Sequence, residues 1–122
     1  MNENKKTLVL GASANPYRYS YLALKRLKAK GHTVFAIGKR HEFVDDIPIE
    51  TDKKELKDID TVTVYLNPDH QKLYYDYILS LNPRRIIFNP GAENDELVAL
   101  AKKNDIIPEK ACTLVLLSTG QY

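Results

Sequence analysis

Tryptophan is absent from this chain, and cysteine and methionine each occur once. A single cysteine, Cys112, cannot form a disulfide bond within the chain, which excludes the disulfide-rich class of small secreted domains. Because it stands at the start of an apolar run, we expect Cys112 to be a buried structural thiol and not a reactive one. The cysteine content favours a reducing, cytoplasmic compartment.

Long hydrophobic runs and a strong excess of one charge are also missing. No apolar run approaches the ~20 residues that a membrane-spanning helix needs, and none near the amino terminus has the length of a signal-peptide core. The formal net charge of +2 creates no global field that would attract nucleic acid or an anionic membrane. We therefore expect neither nucleic acid nor a membrane as a partner.

The residue types of common catalytic and metal sites are present but scattered. His32, His41 and His70 do not have the spacing of metal ligands, and no Ser-His-Asp or Cys-His set can be assembled from the sequence. His70 follows a turn closely enough to lie at the rim of a site. We expect no metal and no catalytic residues.

Alternating strand and helix patterns run through the chain. With 43% hydrophobic and 28% charged residues, the composition is that of a globular protein, and residues 1–122 are expected to form one domain. The pattern predicts a single Rossmann-like, doubly wound α/β domain with a mostly parallel five-stranded sheet and helices on both faces. The five predicted strands are 7–10, 33–38, 61–66, 85–88 and 112–117.

The helices are predicted from apolar spacing and from capping residues. After residue 19, apolar side chains recur at helical spacing until Gly31, and a helix that begins at Asn94 or Asp95 carries another such stripe. Residues 53–59 are expected to form a brief helix, and residues 39–50 a loop with a short extended piece at 47–49. A third helix should begin after Asn67, with one apolar stripe packed on the sheet: Leu73, Tyr74, Tyr77, Ile78 and Leu81.

The most informative segment is the junction between the first strand and the first helix. Leu8-Val9-Leu10 gives way to Gly11-Ala12-Ser13 and then to Asn15-Pro16, directly before the first helical pattern. A glycine turn that leads into a helix amino terminus suits a pyrophosphate, because the turn admits the phosphate and the helix dipole attracts it. Ser13 can donate a hydroxyl hydrogen bond, and backbone N–H groups within residues 14–17 can complete the cradle. An ordinary βα turn without a ligand remains the alternative, since Gly-x-Gly-x-x-Gly is not present.

The end of the second strand indicates which nucleotide is expected. NAD-binding domains usually carry an acidic residue there, but this chain has Gly38-Lys39-Arg40 and no carboxylate before Glu42. Two adjacent cations suit a ribose phosphate, which both NADP and coenzyme A carry. A solvated loop with two positive residues is the alternative.

Two further turns are expected beside the glycine turn. Asn67-Pro68-Asp69 and Asn89-Pro90-Gly91 each follow a predicted strand. Because ligands of doubly wound sheets lie beyond the carboxyl ends of the strands, these turns should line the same crevice.

Several of these segments together resemble the small CoA-binding domain family, which is similar to the nucleotide-binding part of succinyl-CoA synthetase alpha subunits. The resemblance covers nearly the whole chain and is carried by residues 11–20, 33–37 and 89–93. It implies a Rossmann-like fold, a pyrophosphate over Gly11–Ser13 and a ribose phosphate at Lys39 or Arg40. The cofactor-binding residues expected on these grounds are Gly11, Ala12, Ser13, Asn15, Pro16, Tyr17, Arg18, Ser20, Gly38, Lys39, Arg40, Asn67, Pro68, Asn89, Pro90 and Gly91.

The expected function is therefore binding of CoA or an acyl-CoA by a carrier, sensor or accessory module that is not catalytic on its own. The larger synthetases that the chain resembles use a phosphorylated histidine and a nucleotide-grasp domain, and this chain has no recognisable counterpart of either. An NADP-dependent reductase, or a remnant of one, is the first alternative, and a structural or interaction module with an empty crevice is the second. A homodimer or a protein partner is left open.

Overall fold

An apolar segment, Thr7–Ala12, forms the central strand of the sheet, and its first four residues are completely buried. The computed structural model describes residues 3–122, so Met1 and Asn2 of the predicted domain lie outside the described residues. The strands are β1 (Thr7–Ala12), β2 (Val34–Gly38), β3 (Glu42–Val44), β4 (Ile47–Glu50), β5 (Thr61–Val64), β6 (Arg85–Phe88) and β7 (Ile107–Lys110). The helices are α1 (Tyr19–Ala29), α2 (Pro68–Gln71), α3 (Tyr75–Leu81), α4 (Asp95–Lys103) and α5 (Thr113–Ser118), with a 3₁₀ turn at Lys72–Tyr74 between α2 and α3.

The strands form one mixed sheet in the order β3-β4-β2-β1-β5-β6-β7. All pairings are parallel except that of β3 with β4, which form an antiparallel hairpin. The α/β class and the mostly parallel sheet are confirmed, but the sheet formed by residues 3–122 has seven strands and not the predicted five. Four of the predicted strands are present as β1, β2, β5 and β6, and the extended piece at 47–49 belongs to β4.

The prediction of a strand at residues 112–117 was wrong, because this segment forms α5. Thr113, Leu114 and Leu117 are buried while Val115 is exposed, which is the spacing of a helix packed on one side. A short apolar run cannot be assigned to helix or strand by its periodicity alone. The true final strand, β7, was missed because it contains Pro108 and pairs only with β6, so it has the polar composition of an edge strand.

The brief helix predicted at residues 53–59 is also absent, and the segment has no regular structure. It connects the carboxyl end of β4 to the amino end of β5, and β2 and β1 lie between these two strands. An extended chain covers about 3.3 Å per residue against 1.5 Å in a helix. The distance to be spanned therefore favours an extended connection over the local helical tendency.

Two hydrophobic cores lie on opposite faces of the sheet. Leu8 and Leu10 of β1 point to the face covered by α3 and α4. Val9 points to the other face, which α1 and α5 cover. The alternation follows from the two-residue repeat of a strand. The chain continues from β1 to β2 on one side and later enters β5 on the other, so the crossovers diverge at the carboxyl end of β1 and leave a crevice there.

Candidate functional site

A crevice of about 1080 Å³ opens beyond the carboxyl ends of β1, β2 and β5. It contains most of the residues that the sequence singles out for cofactor binding. These are Gly11, Ala12, Ser13, Asn15, Tyr17, Arg18, Ser20, Gly38, Lys39, Arg40, Asn67, Pro90 and Gly91. Pro16, Pro68 and Asn89 do not line the crevice.

The floor of the crevice depends on Gly11. Its φ of +91° lies in the left-handed region, and the register between β1 and β2 shifts between Leu10 and Ala12. A Cβ atom on this residue would lie 3.1 Å from the backbone nitrogen of Leu66. The glycine is therefore required by the close approach of the segment after β5, in addition to any room it leaves for a ligand.

Gly38 is required for a different reason. A Cβ atom there would collide with the backbone carbonyl oxygen of Ala12 on the neighbouring strand. The two residues are paired across β1 and β2, and both line the crevice. Close contact of the two backbones brings the end of β2, with Lys39 directly after it, next to the glycine turn.

The loop before α1 is held by its own side chains. The Ser13 hydroxyl oxygen accepts a hydrogen bond from the Asn15 N–H at 3.0 Å, and the Asn15 side-chain oxygen accepts one from the Tyr17 N–H at 3.0 Å. The Arg18 N–H donates to the Asn15 carbonyl oxygen at 3.0 Å. Since Ser13 uses its oxygen as an acceptor, its O–H remains available to a ligand.

The amino terminus of α1 faces this loop without a capping side chain. Arg18 is the N-cap residue, and among the described residues no side chain caps the helix and no acidic residue occupies its first turn. The first N–H groups of a helix lack partners within the helix and carry partial positive charge. Ser20, in the first turn, is buried on the inner face of α1. This end of the crevice is suited to an anion.

The charged side chains of the crevice lining are mainly positive. Lys39 and Arg40 are exposed directly after β2, and Arg18 lies before α1. Glu42 is the acidic residue among the described residues that line the crevice. The local excess of positive charge exists although the net charge of the whole chain is only +2.

The turns after β5 and β6 contribute to the crevice in unequal ways. Asn67 caps α2, with its side-chain oxygen accepting from the His70 N–H at 3.0 Å, as its sequence position predicts. Asn89 is only 2% exposed. Its amide donates to the Thr63 hydroxyl oxygen at 2.7 Å and the Val64 carbonyl oxygen at 2.9 Å, and its oxygen accepts from the Thr113 N–H at 2.8 Å. The Asn89 side chain is therefore engaged in the fold, while Pro90 and Gly91 face the crevice.

Sequence reasoning missed part of the crevice lining. Tyr65 and Leu66 follow β5 at the same sheet edge as the glycine turn, and that position was a signal that could have found them. The Tyr65 hydroxyl is buried without a hydrogen-bond partner among residues 3–122, and burial raises its pKa above the ordinary value. The other lining residues that were not expected at the site are Tyr19, Ile37, Glu42, Leu73 and Tyr74. Ala14 and His70 also line it, and the sequence had placed Ala14 in the cradle and His70 near the rim.

Leu73 is a correction to the predicted helix stripe. Its side chain is 70% exposed, whereas the neighbouring Gln71 is completely buried. The 3₁₀ turn at Lys72–Tyr74 interrupts the helix, and Leu73 lies in the crevice lining. The rest of the predicted stripe is confirmed, because Ile78 is buried in the core and Tyr74, Tyr77 and Leu81 pack against it.

Other features of the chain lie outside this crevice. Cys112 is half-buried as the N-cap of α5 and does not line the crevice. Within residues 3–122, no group of three His, Cys, Asp or Glu side chains is arranged to hold a metal ion. No helix in the same range has the length and apolar character needed to cross a membrane.

Comparison with known proteins identifies the family. Among curated proteins, no sequence matches this chain. A crystal structure of an uncharacterized protein is 46% identical, with a TM-score of 0.96, and the match covers 99% of this chain and 100% of that one. Two more distant structures share the fold. A hypothetical protein from Pyrococcus horikoshii OT3 has 19% identity and a TM-score of 0.86, with 95% and 83% of the two chains covered. A protein from Thermus thermophilus has 21% identity and a TM-score of 0.81, with 98% and 91% covered.

The family assignment is based on almost the whole sequence. The model of the CoA-binding domain family matches residues 5–118, which include every crevice-lining residue described above. The family resemblance noted in the sequence is thereby confirmed. This chain belongs to the CoA-binding domain family.

Proposed function

We propose that this chain binds coenzyme A or an acyl-CoA in the crevice, as a carrier, sensor or accessory module without a reaction of its own. The observation that carries the proposal is the geometry at the ends of β1 and β2. The uncapped amino terminus of α1 and the exposed pair Lys39 and Arg40 flank one glycine turn in a domain of the CoA-binding family. CoA carries two anionic groups, a pyrophosphate and a ribose phosphate. The amino terminus of α1 suits the pyrophosphate, and the two cations suit the ribose phosphate.

The pyrophosphate would lie over Gly11–Ser13. Ser13 offers its free O–H there, and Tyr19 and Ser20, the first two residues of α1, line the same crevice. The N–H groups at the start of a helix lack acceptors within the helix. The partial positive charge of the helix end adds attraction for phosphate. Ser20 is buried on the inner face of α1, where it supports the helix position.

The ribose phosphate would be bound by Lys39 and Arg40. Lysine supplies a point charge, and arginine supplies a planar fork that can donate two parallel hydrogen bonds to phosphate. Both residues follow β2, which lies next to β1 in the sheet. Adjacent strands are about 4.8 Å apart, so the pair is near enough to the glycine turn to bind another phosphate of the same ligand.

The pantetheine arm would leave the glycine turn in the direction of β5 and β6. The crevice continues there along Leu66 and Asn67 to Pro90 and Gly91. Its volume of about 1080 Å³ is slightly above the ~300–1,000 Å³ that is usual for small-molecule sites, which suits an extended ligand.

The proposal assigns no reaction to the chain. Among the described residues that line the crevice, no nucleophile is hydrogen-bonded to a base: Ser13 pairs with the Asn15 backbone, and the His70 backbone pairs with Asn67. Nucleophilic catalysis generally requires such a pair.

Calorimetric titration with three ligands tests the proposal. The purified chain is titrated at one moderate salt concentration with CoA, with dephospho-CoA, which lacks the ribose phosphate, and with NADP. Micromolar CoA binding, weaker dephospho-CoA binding and no NADP binding are expected. Binding of NADP without CoA would move the protein to the reductase class, and no binding of any ligand would favour the module with an empty crevice.

A further inference from the structure

Part of the crevice lining differs in chemical character from Lys39 and Arg40. It consists of Leu66, Leu73 and Tyr74, and we refer to these three residues as the apolar end of the crevice. They belong to the segment that runs from β5 to the 3₁₀ turn, and β5 lies on the opposite side of β1 from β2. The cations Lys39 and Arg40 therefore follow one neighbour of β1, and these apolar side chains follow the other neighbour.

The exposure of Leu73 does not follow from the local sequence pattern. A regular helix after Asn67 would allow Leu73 to pack on the sheet, yet the structure buries Gln71 instead. The Gln71 amide donates to the Leu66 and Ala92 carbonyl oxygens, each at 2.8 Å, and its oxygen accepts from the Asn94 amide at 2.9 Å. These three bonds satisfy a buried polar side chain and fix the rotation of the helix that keeps Leu73 in the crevice.

The side chain of Lys53 also contacts this 3₁₀ turn. Its ammonium donates to the Leu73 carbonyl oxygen at 2.5 Å and lies 5.4 Å from the centre of the Tyr74 ring. The 3₁₀ turn is thus anchored directly by Lys53, and Asn94 holds the adjacent Gln71 side chain. An anchored, exposed leucine in a crevice is a preformed apolar contact surface, which favours binding because little order must be imposed on it.

Half of the large exposed apolar side chains of residues 3–122 line this crevice. Among residues 3–122, Tyr17, Tyr19 and Leu73 are each more than two-thirds exposed and line it. Phe43, Ile107 and Val115 are the other large exposed apolar residues, and they do not line it. Apolar surface that is gathered at a concave site marks a binding surface more often than scattered apolar residues do.

We propose that the apolar end of the crevice binds the acyl group of an acyl-CoA, so that this chain prefers thioesters with an apolar acyl chain over free CoA. The inference rests on the proposed function. In an acyl-CoA the thioester is at the opposite end of the molecule from the ribose phosphate, and the strand order β2-β1-β5 has a matching sequence of chemistry: Lys39 and Arg40 follow β2, the glycine turn follows β1, and the segment with Leu66, Leu73 and Tyr74 follows β5. The specific ligand class is an uncharged hydrocarbon acyl group.

The test compares CoA with octanoyl-CoA, used below its micellar concentration, by calorimetry. Each buried methylene group contributes about a fourfold gain in affinity, so burial of only two of them predicts octanoyl-CoA binding about fifteenfold tighter than CoA binding. In Leu73→Ala, the ratio of the two affinities should fall at least about threefold, because the substitution removes most of the apolar contact between residue 73 and the acyl group. Val115→Ala, on the exposed side of α5, is the matched control and should leave the ratio unchanged.

The possible results separate this inference from the proposed function. Equal affinities for CoA and octanoyl-CoA in the unmodified chain would overturn the acyl site and leave CoA binding in place. Absence of binding for both ligands would overturn the proposed function itself. A preference for octanoyl-CoA that Leu73→Ala does not alter would overturn the role of Leu73. Light scattering provides the last readout, because a dimer that dissociates in Leu73→Ala would show that this surface contacts a second copy of the chain.

Discussion

The side-chain oxygen of Asn89 accepts a hydrogen bond from the backbone N–H of Thr113 at 2.8 Å. This bond joins the end of β6 to the first turn of α5, while the amide of the same side chain holds Thr63 and the Val64 carbonyl oxygen on β5. One buried asparagine therefore connects three elements under the crevice.

Replacement of this side chain should destabilise the fold. In Asn89→Ala, the Thr113 N–H loses its buried partner, and the Val64 carbonyl oxygen loses one of its two donors and keeps the backbone N–H of residue 89. An unsatisfied buried group costs about 1–3 kcal/mol. We expect the free energy of unfolding, measured by urea denaturation, to fall by about 2–4 kcal/mol. The control is Asn104→Ala, at the exposed end of α4, which should cost less than about 1 kcal/mol. Equal effects of the two substitutions would contradict the structural role of Asn89.

Alanine substitutions at Gly38 and Gly31 test two different costs, steric collision at Gly38 and backbone strain at Gly31. Gly38→Ala places a Cβ atom against the Ala12 carbonyl oxygen, which forces β1 and β2 apart and should cost about 2–3 kcal/mol of unfolding free energy. Gly31→Ala has open space around the new atom but keeps a φ of +88°, so strain alone should cost about 1 kcal/mol. Urea denaturation of both variants measures the difference. A Gly38→Ala variant as stable as the unmodified chain would show that the two strands are farther apart than described.

Lys39→Ala/Arg40→Ala should weaken CoA binding selectively. The double variant removes two charge-assisted contacts to phosphate, so we expect a loss of about 2–3 kcal/mol in CoA binding by calorimetry. Dephospho-CoA should lose much less, since the ribose phosphate is missing from that ligand. Lys102→Ala/Lys103→Ala removes two positive charges from the last turn of α4, outside the crevice, and controls for net charge. Unchanged CoA affinity in the Lys39 and Arg40 variant would remove these residues from the site.

Acid should destabilise the protein through His32. The His32 Nδ1 atom accepts a hydrogen bond from the Lys5 N–H at 2.9 Å, which requires the unprotonated nitrogen. Burial lowers the pKa of His32, and the charges of Lys5 and Arg85 lower it further, against a smaller opposite effect of Asp60. The unfolded chain then takes up a proton near the ordinary pKa of about 6.5, while the folded chain takes it up only at lower pH.

The stabilising contribution is therefore complete above about pH 6.5 and is lost as the pH falls toward the lowered pKa of His32. The measurement is the free energy of unfolding between pH 7.5 and 5.5, for the unmodified chain and for His32→Asn, whose side-chain oxygen can accept the same bond. The variant should show a shallower decline on acidification. Parallel curves would mean that His32 does not contribute to the pH dependence.

The segment from β1 to α1 shows what local sequence can predict. The strand, the glycine turn and the helix up to Gly31 follow from apolar spacing, from Gly11 and from the end of the helical pattern. The cap at Asn67 was predicted for the same reason, because a capping bond joins residues only three positions apart. Such contacts need no information about the rest of the chain.

The carboxyl-terminal third shows where the same reasoning fails. Residues 107–110 form a strand because β6 presents an open edge to them, and residues 112–117 form a helix because α1 presents an apolar surface. Neither partner is visible from the local pattern. An apolar run of six residues is compatible with both a strand and a short helix, and the packing partner decides between them.

The position of the glycine turn, the cations that follow β2 and the family of the chain can be read from residue types within short segments. Three features required the folded chain: the Asn89 side chain is fully hydrogen-bonded within the fold, Gly11 is needed for the approach of Leu66, and Leu73 lines the crevice while Gln71 is buried. The two groups of features differ because the interacting residues of the second group are far apart along the chain. Hydrogen bonds and close contacts between segments some 20 to 55 residues apart are set by strand order and register, which local periodicity does not contain.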